Sequence, residues 1–394
     1  MSWCRKMNIL LIHNYYQLRG GEDVVFQAEA DLLKNNGNSV NIYSVNNDNV
    51  VSLFTKIFIA IFLPFNVKQY FRLKRYLLKT SPDIVHIHNY FPILSPSIFY
   101  ACKSVGVPVV HTLHNYRAVC PTAVLMHNGM LDERSVKGSS WWGVVKKVYR
   151  NSFFGSLSLV VMIEMHKLLG TWRSKVDRFI VMSEFSKGKY IDSGWPEHKV
   201  AIKPNFIFDH SWEDSEVSEG YCLFVGRLSE EKGIETLLNS WQNISSSLKI
   251  VGDGPMKDYV KANLTSSIEY LGQQDKDHTL SLVKNASFII IPSICYETFG
   301  MVVVEAFLCG TPVLVSRLGS FETLVDNHVT GLHFNAGDAN DLSRKAQWLI
   351  DNPESAREMG KNARNEYLSK YTPEKNYEML MDIYKQAIEE AKKS

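Results

Sequence analysis

Two glutamates eight positions apart, Glu297 and Glu305, stand in the stretch from Phe288 to Ser316. The segment reads as a buried strand at Phe288–Ile291, a loop, a short apolar helix from about Met301 that Gly310 stops, and a second strand at Val313–Ser316. Glu297 falls in the loop and Glu305 one turn inside the helix. Gly300 marks the helix entrance, where a missing side chain would let a ligand approach the N–H groups of Met301 and Val302. Those amides and the helix dipole make an anion seat suited to phosphate. Two acids flanking such a seat accept hydrogen bonds from hydroxyls, which suits a sugar joined to a nucleoside diphosphate. Glu297 would hold the sugar and Glu305 the ribose. A lone glutamate is ordinarily a solvated surface charge. Glu305, however, is surrounded by Val302, Val303, Val304, Ala306 and Phe307, and an unpaired buried carboxylate costs several kcal/mol.

Arg227 and Lys232 add the opposite charge. Arg227 follows a predicted strand ending at Gly226, and Lys232 stands five residues later in a loop that closes at Gly233. A guanidinium and an ammonium at the carboxyl end of a strand form a diphosphate clamp, able to stabilise the charge on a departing nucleoside diphosphate. The Gly20-Gly21 turn after the first strand would bring backbone N–H groups to the same diphosphate. It is no dinucleotide fingerprint, because Gly-Gly-Glu-Asp-Val-Val lacks the third glycine. His111 and His114 follow one strand and His86 and His88 end another, places where histidines are commonly packed or hydrogen-bonded.

The spacing of Glu297 and Glu305 after a buried strand resembles the signature of glycosyltransferase family 4. Residues 221–233, residues 248–255, residues 14–37 and the His111-Thr-Leu-His-Asn-Tyr-Arg117 segment are similar to other segments of that family, so the resemblance covers nearly the whole chain. It implies an α/β chain of GT-B architecture. Two Rossmann-like parallel-sheet domains would face a cleft, with a C-terminal helix crossing back to the first domain. It also implies a retaining transferase with a UDP- or GDP-linked sugar donor and no cofactor, and it puts His114 near the donor sugar. No Asp or Glu of the first domain stands out as a base, in keeping with a front-face displacement in which the leaving phosphate takes the acceptor proton. No metal cluster is visible, and Arg227 with Lys232 could replace a divalent ion.

Length and composition agree with two domains: 394 residues, 45% hydrophobic. The six cysteines (Cys4, Cys102, Cys120, Cys222, Cys295, Cys309) never fall at metal-ligand or redox spacing and read as reduced thiols of a cytoplasmic protein. The apolar run 9–12 is too short for a secretory core. Alternating strand and helix patterns predict strands at 8–13, 39–44, 84–88, 109–112, 179–182, 221–226, 248–252, 268–271, 288–291 and 313–316. The expected domains are 1–203 on the acceptor side, 204–372 for the nucleotide sugar, and a helix over 373–394.

The formal charge of +2 hides an asymmetry. Residues 1–203 hold 25 Lys+Arg against 13 Asp+Glu, a balance of +12, and the remainder hold 18 against 28, a balance of −10. A basic half suggests a surface or polyanion partner. Apolar residues 57–65 precede Lys68, Arg72, Lys74, Arg75 and Lys79, while Trp141-Trp142 precedes Lys146, Lys147 and Arg150 and then Phe153-Phe154. The apolar run cannot span a bilayer, but such segments suit a protein resting on an anionic leaflet at the inner membrane face; packed core helices with solvated basic faces suit the pattern as well. The expected partners are a nucleotide-sugar donor, a glycan or lipid-linked acceptor and that membrane surface, with no nucleic acid. A small soluble acceptor, a sugar-nucleotide epimerase and an inactive sugar-nucleotide-binding subunit are the alternative readings.

Overall fold

The computed structural model describes residues 6–17, 20–48, 52–209 and 220–393, so Cys4 lies outside it. The chain divides into two compact units. One comprises Met1–His127, Asp132–Lys203 and Tyr377–Ser394; the other comprises Asn128–Leu131 and Pro204–Asn376.

The first unit is built on six parallel strands: β1 (Asn8–Tyr15), β2 (Ser39–Asn46), β3 (Ile84–Ile87), β4 (Val109–Thr112), β5 (Arg178–Val181) and β6 (Val200–Ile202). Their order is β2-β1-β3-β4-β5-β6. β3 and β4 are buried along their whole length, as expected of parallel strands covered on both faces. Ile9 and Leu11 of β1 pack with Phe26, Ala30 and Leu33 of helix α1 (Gly21–Asn35) and with Leu380, Ile383, Tyr384 and Ala387 of the C-terminal helix (Pro373–Lys393). Helix α2 (Leu53–Phe62) packs on the helix Phe153–Leu168, and Ser158 Oγ donates to the Ala60 carbonyl.

The second unit repeats the plan with β7 (Cys222–Val225), β8 (Leu248–Val251), β9 (Ile268–Gly272), β10 (Phe288–Ile291), β11 (Val313–Ser316) and β12 (Gly331–Phe334), in the order β9-β8-β7-β10-β11-β12. Its core joins Phe224, Ile250, Phe288, Ile290 and Leu314 of the sheet to Leu237, Trp241 and Leu342 of the covering helices. β6 and β12 were not expected from the sequence. Each lies at a sheet edge; β6 is three residues long and β12 opens on a glycine, too little for a period-two or apolar-run signal. In each sheet the strand order reverses at one place, β1/β3 and β7/β10, and crevices at such switch points, outside the carboxyl ends of the strands, are where ligands bind in open parallel sheets.

Candidate active site

In the second unit, the loops after β7 and β10 meet at the switch point. Gly233 closes the first loop at φ +70°, and a Cβ there would sit 1.8 Å from the Pro292 carbonyl oxygen. Only glycine allows the approach, which seats Lys232 against the Ser293–Glu297 loop. Lys232 Nζ ion-pairs with Glu297 Oε1, which also accepts from Ser293 Oγ at 2.9 Å. Burial alone would push the Glu297 carboxyl up; the adjoining Lys232 charge and these hydrogen bonds bring it below its ordinary value. Ser320 Oγ fastens the loop by donating to the Glu297 carbonyl at 2.7 Å.

Arg227 is exposed, and its guanidinium makes no hydrogen bond or ion pair among the described residues. Gly300, at φ +110°, precedes α3 (Met301–Leu308); a Cβ there would come within 2.5 Å of Phe321 Cε1. Backbone strain and the Phe321 ring therefore require the glycine before any ligand is considered. The Gly300 carbonyl accepts from Val303 N at 3.0 Å. The Met301 and Val302 amides have no acceptor among the described residues, as expected of a first helical turn. Glu305, half-buried on α3, has no hydrogen bond or ion pair there either; burial raises its carboxyl and the more distant Lys276 charge offsets this only partly.

In the first unit, polar groups gather at the ends of β1, β3 and β4. His114 Nε2 lies 3.1 Å from His88 Nδ1, and the rings stack with centroids 5.3 Å apart. Burial, with His88 and His13 nearby, holds His114 well below its usual value, so the ring is neutral at pH 7. The Gly20 N–H donates to Asp23 Oδ2 at 2.8 Å, and Asp23 Oδ1 meets His13 Nε2 at 2.7 Å. Of the glycine pair, Gly20 thus spends its amide on a helix cap. Neither glycine is sterically required, since a Cβ on either meets nothing within 4 Å.

Beneath these loops lies a buried, ion-paired network. Lys203 Nζ is 2.8 Å from Glu29 Oε2, and Glu29 Oε1 lies 3.0 Å from His86 Nδ1 and 3.2 Å from His88 Nε2. His86 also contacts Tyr384 Oη at 2.8 Å and Thr112 Oγ1 at 2.7 Å. Burial would raise the Glu29 carboxyl, but Lys203 and the two histidines drive it well below its ordinary value. Glu29, His86 and His88 form a donor set of metal-ligand type. The Lys203 ammonium already neutralises that carboxylate and both His86 nitrogens are engaged, which fits an ion-paired core better than a cation site.

Residues 209–366 match the model described as glycosyl transferases group 1, and residues 19–209 match glycosyltransferase family 4. The chain belongs to the family 4 glycosyltransferases. An uncharacterised glycosyltransferase of Methanocaldococcus jannaschii is 29% identical over 214 residues, covering 53% of this chain but only 60% of that relative. An uncharacterised 42.6 kDa protein in the cps region of Klebsiella pneumoniae is 26% identical over 359 residues, 81% of this chain and 87% of the relative. Among solved structures, Anabaena HepE in complex with UDP is similar in fold, with a TM-score of 0.67 at 16% identity over 95% of this chain and 99% of that one. The fold is GT-B.

Within this family 4 fold, the structure unites Lys232 with Glu297 and leaves Arg227, Glu305 and the α3 amides open at the same end of the second sheet. His114, Gly20 and Gly21 lie at the strand ends of the first unit. Sequence reasoning passed over Glu22, Asn89 and Arg117. The Asn89 side chain donates to Glu22 Oε1 at 2.7 Å and Asn115 approaches Oε2 at 3.5 Å. Their only sequence signal was position: Glu22 adjoins the glycine pair, and Arg117 ends the 111–117 segment.

Proposed function

We propose that the protein moves a sugar from a nucleoside diphosphate sugar, UDP- or GDP-linked, to a glycan or lipid-linked acceptor in cell-surface polysaccharide synthesis, with retention of configuration. One observation carries the reading. An unpartnered guanidinium, an ammonium tied to a carboxylate and two open amides converge where β7 and β10 end. That arrangement has the positive groups and N–H donors a diphosphate requires. Arg227 and Lys232 would stabilise the departing diphosphate in place of a divalent ion, Glu297 would hold the sugar, Glu305 the ribose, and His114 would lie near the donor sugar. The UDP bound by HepE and the cps setting of the Klebsiella relative support the donor class and the pathway type.

A panel of UDP- and GDP-sugars screened by thermal stabilisation tests this reading, because a ligand bound by the folded state alone raises stability with occupancy. Stabilisation by one base family, unaffected by chelator, is the expected result; no response to any nucleotide overturns it.

The lipid-linked acceptor has its own support. Phe54 is 87% exposed, Ile61 67% and Phe154 75%, beside exposed Lys56, Lys68, Arg72 and Lys146. Leu159, Val160 and Met162, by contrast, are core residues. No described helix is long and apolar enough to cross a membrane. Peripheral docking on an anionic leaflet follows from aromatic side chains ringed by cations. Co-sedimentation with phosphatidylglycerol vesicles should be strong at low salt and fall as salt rises. Indifference to those vesicles would favour a small soluble acceptor.

A further inference from the structure

The buried network of the first unit leads to His114. That residue lines a small pocket at the ends of β3 and β4, together with His88, Asn89, Asn115 and Arg117. One of its ring nitrogens is committed, since Nε2 lies 3.1 Å from His88 Nδ1. Two neutral imidazoles sharing a hydrogen bond need one N–H and one lone pair, and either order fits that distance. The far side of His88 separates the two orders. His88 Nε2 lies 3.2 Å from Glu29 Oε1, and neither atom makes a well-aligned hydrogen bond among the described residues. Glu29 is ionised, because Lys203 Nζ stands 2.8 Å from its other oxygen. A bare Nε2 would set its lone pair against that buried negative charge, whereas Nε2–H turns a positive edge toward it. Burial and the nearby His86 hold His88 down at about 3, so its ring carries a single proton at neutral pH. With that proton on Nε2, His88 Nδ1 accepts and His114 Nε2 donates. The His114 ring is neutral too, which leaves its Nδ1 as the nitrogen without a hydrogen.

We propose that His88 is a positioning residue, which takes the His114 Nε2–H on its Nδ1 and so presents His114 Nδ1 as an acceptor for a hydroxyl of the transferred sugar. The sugar contact rests on the transferase reading, which puts His114 near the donor; the order of protons does not. An acceptor nitrogen selects hydroxyls, which donate, over phosphate oxygens, which only accept at neutral pH. The opposite tautomer would carry Nδ1–H and suit the diphosphate instead. Which half of a nucleotide sugar His114 can hold is therefore set from the buried end, by the Lys203–Glu29 pair acting through His88. The partner of one imidazole nitrogen commonly fixes the role of the other in this way.

The tautomer is tested first. Isotope-labelled histidine followed by nitrogen NMR should show His114 protonated at Nε2 and bare at Nδ1, with His114→Gln assigning the signal by its loss. A wild-type His114 protonated at Nδ1 overturns the proposal. His88→Gln keeps an amide N–H toward Glu29 but removes the acceptor for His114, and there the two tautomers should mix. His88→Asn keeps an oxygen near the Nδ1 position and should restore the wild-type signal. With UDP-glucose as probe and water as surrogate acceptor, UDP release in His88→Gln should fall about 10-fold, the worth of one orienting hydrogen bond. UDP affinity should not change, and His88→Asn should recover most of the rate. Equal losses in both variants, tracking a lowered melting point, make His88 structural and overturn the proposal. In the wild type the His114 Nδ1 signal should move with UDP-glucose and not with UDP; an equal response to both overturns the sugar contact. If the wild type binds UDP yet cleaves no UDP-glucose, the transferase reading fails for that donor, and the tautomer measurement alone decides the role of His88.

Discussion

The two sheets handle buried charge in opposite ways. Under the first sheet, Glu29 is ion-paired with Lys203 and packed against His86 and His88, and His86 meets Tyr384, with Lys203 and Glu29 each about 1% exposed. At the end of the second sheet, Arg227, Glu305 and the Met301 and Val302 amides are left open among the described residues, while Lys232 and Glu297 are paired. A buried, ion-paired network holds a fold together; open groups at a strand end have something else to bind. Both arrangements use glutamate and lysine, so residue type alone does not separate them. Partnership does.

Breaking the buried network should have the largest effect. Lys203→Met strands Glu29 without its cation, and removing one partner of a buried pair costs about 3–5 kcal/mol; denaturant unfolding reads it directly. The sign with pH is also fixed. Glu29 is held well below its ordinary value, so the network's contribution is present above the unfolded carboxylate value of about 4.3 and is lost as pH falls through the lower folded one. The gap between wild type and variant should therefore narrow in acid. A variant as stable as the wild type at pH 7 would make this network as dispensable as an exposed ion pair.

Lys232→Ala should do the reverse, with turnover down about 10²-fold or more, the loss expected when a group facing transition-state charge is removed, while the fold persists. If only the melting point moves, Lys232 belongs with the buried network and the contrast between the sheets weakens. Glu305→Gln should weaken nucleoside diphosphate binding by roughly 1.5–3 kcal/mol, one charge-assisted hydrogen bond. Calorimetry with UDP and GDP measures it, and equal affinities would leave Glu305 without a ligand.

Glu22 falls between the two cases and sharpens the contrast. Its folded value of about 7 exceeds that of an unfolded glutamate, so its stabilisation is full below about pH 4.3 and lost as pH rises through 7. Glu22→Gln should accordingly be more stable than wild type by about 1–2 kcal/mol at pH 8, discounted for partial exposure, and equal to it at pH 4. A stabilised variant is the mark of a group kept for something other than stability. A destabilised one would place Glu22 in the structural set.

The candidate site of the second unit was readable in the chain because it is local. Phe288–Ile291, the loop carrying Glu297, the apolar helix carrying Glu305 and Val313–Ser316 follow one another within thirty residues, and period and punctuation place them. Arg227 and Lys232 sit in one loop ended by a glycine whose φ is positive. The parallel architecture was equally readable, since buried strands such as Ile84–Ile87 and Val109–Thr112 are continuous apolar runs interrupted only by histidine or threonine.

The polar strand ends of the first unit had no such signal. Glu22, on the first turn of α1, and Asn89 and Arg117, on the segments after β3 and β4, are spread over nearly a hundred residues, and only the β1-β3-β4 strand order makes them neighbours. Partnership was hidden too: Lys203 merely ends the first expected domain until it is found buried on Glu29, 174 positions away. Periodicity reports which face of an element is apolar, and this placed the sheets, their helices and the motif-borne polar groups of the second unit. Which polar groups are satisfied and which wait for a ligand depends on distances between remote segments, and those exist only once the chain has folded.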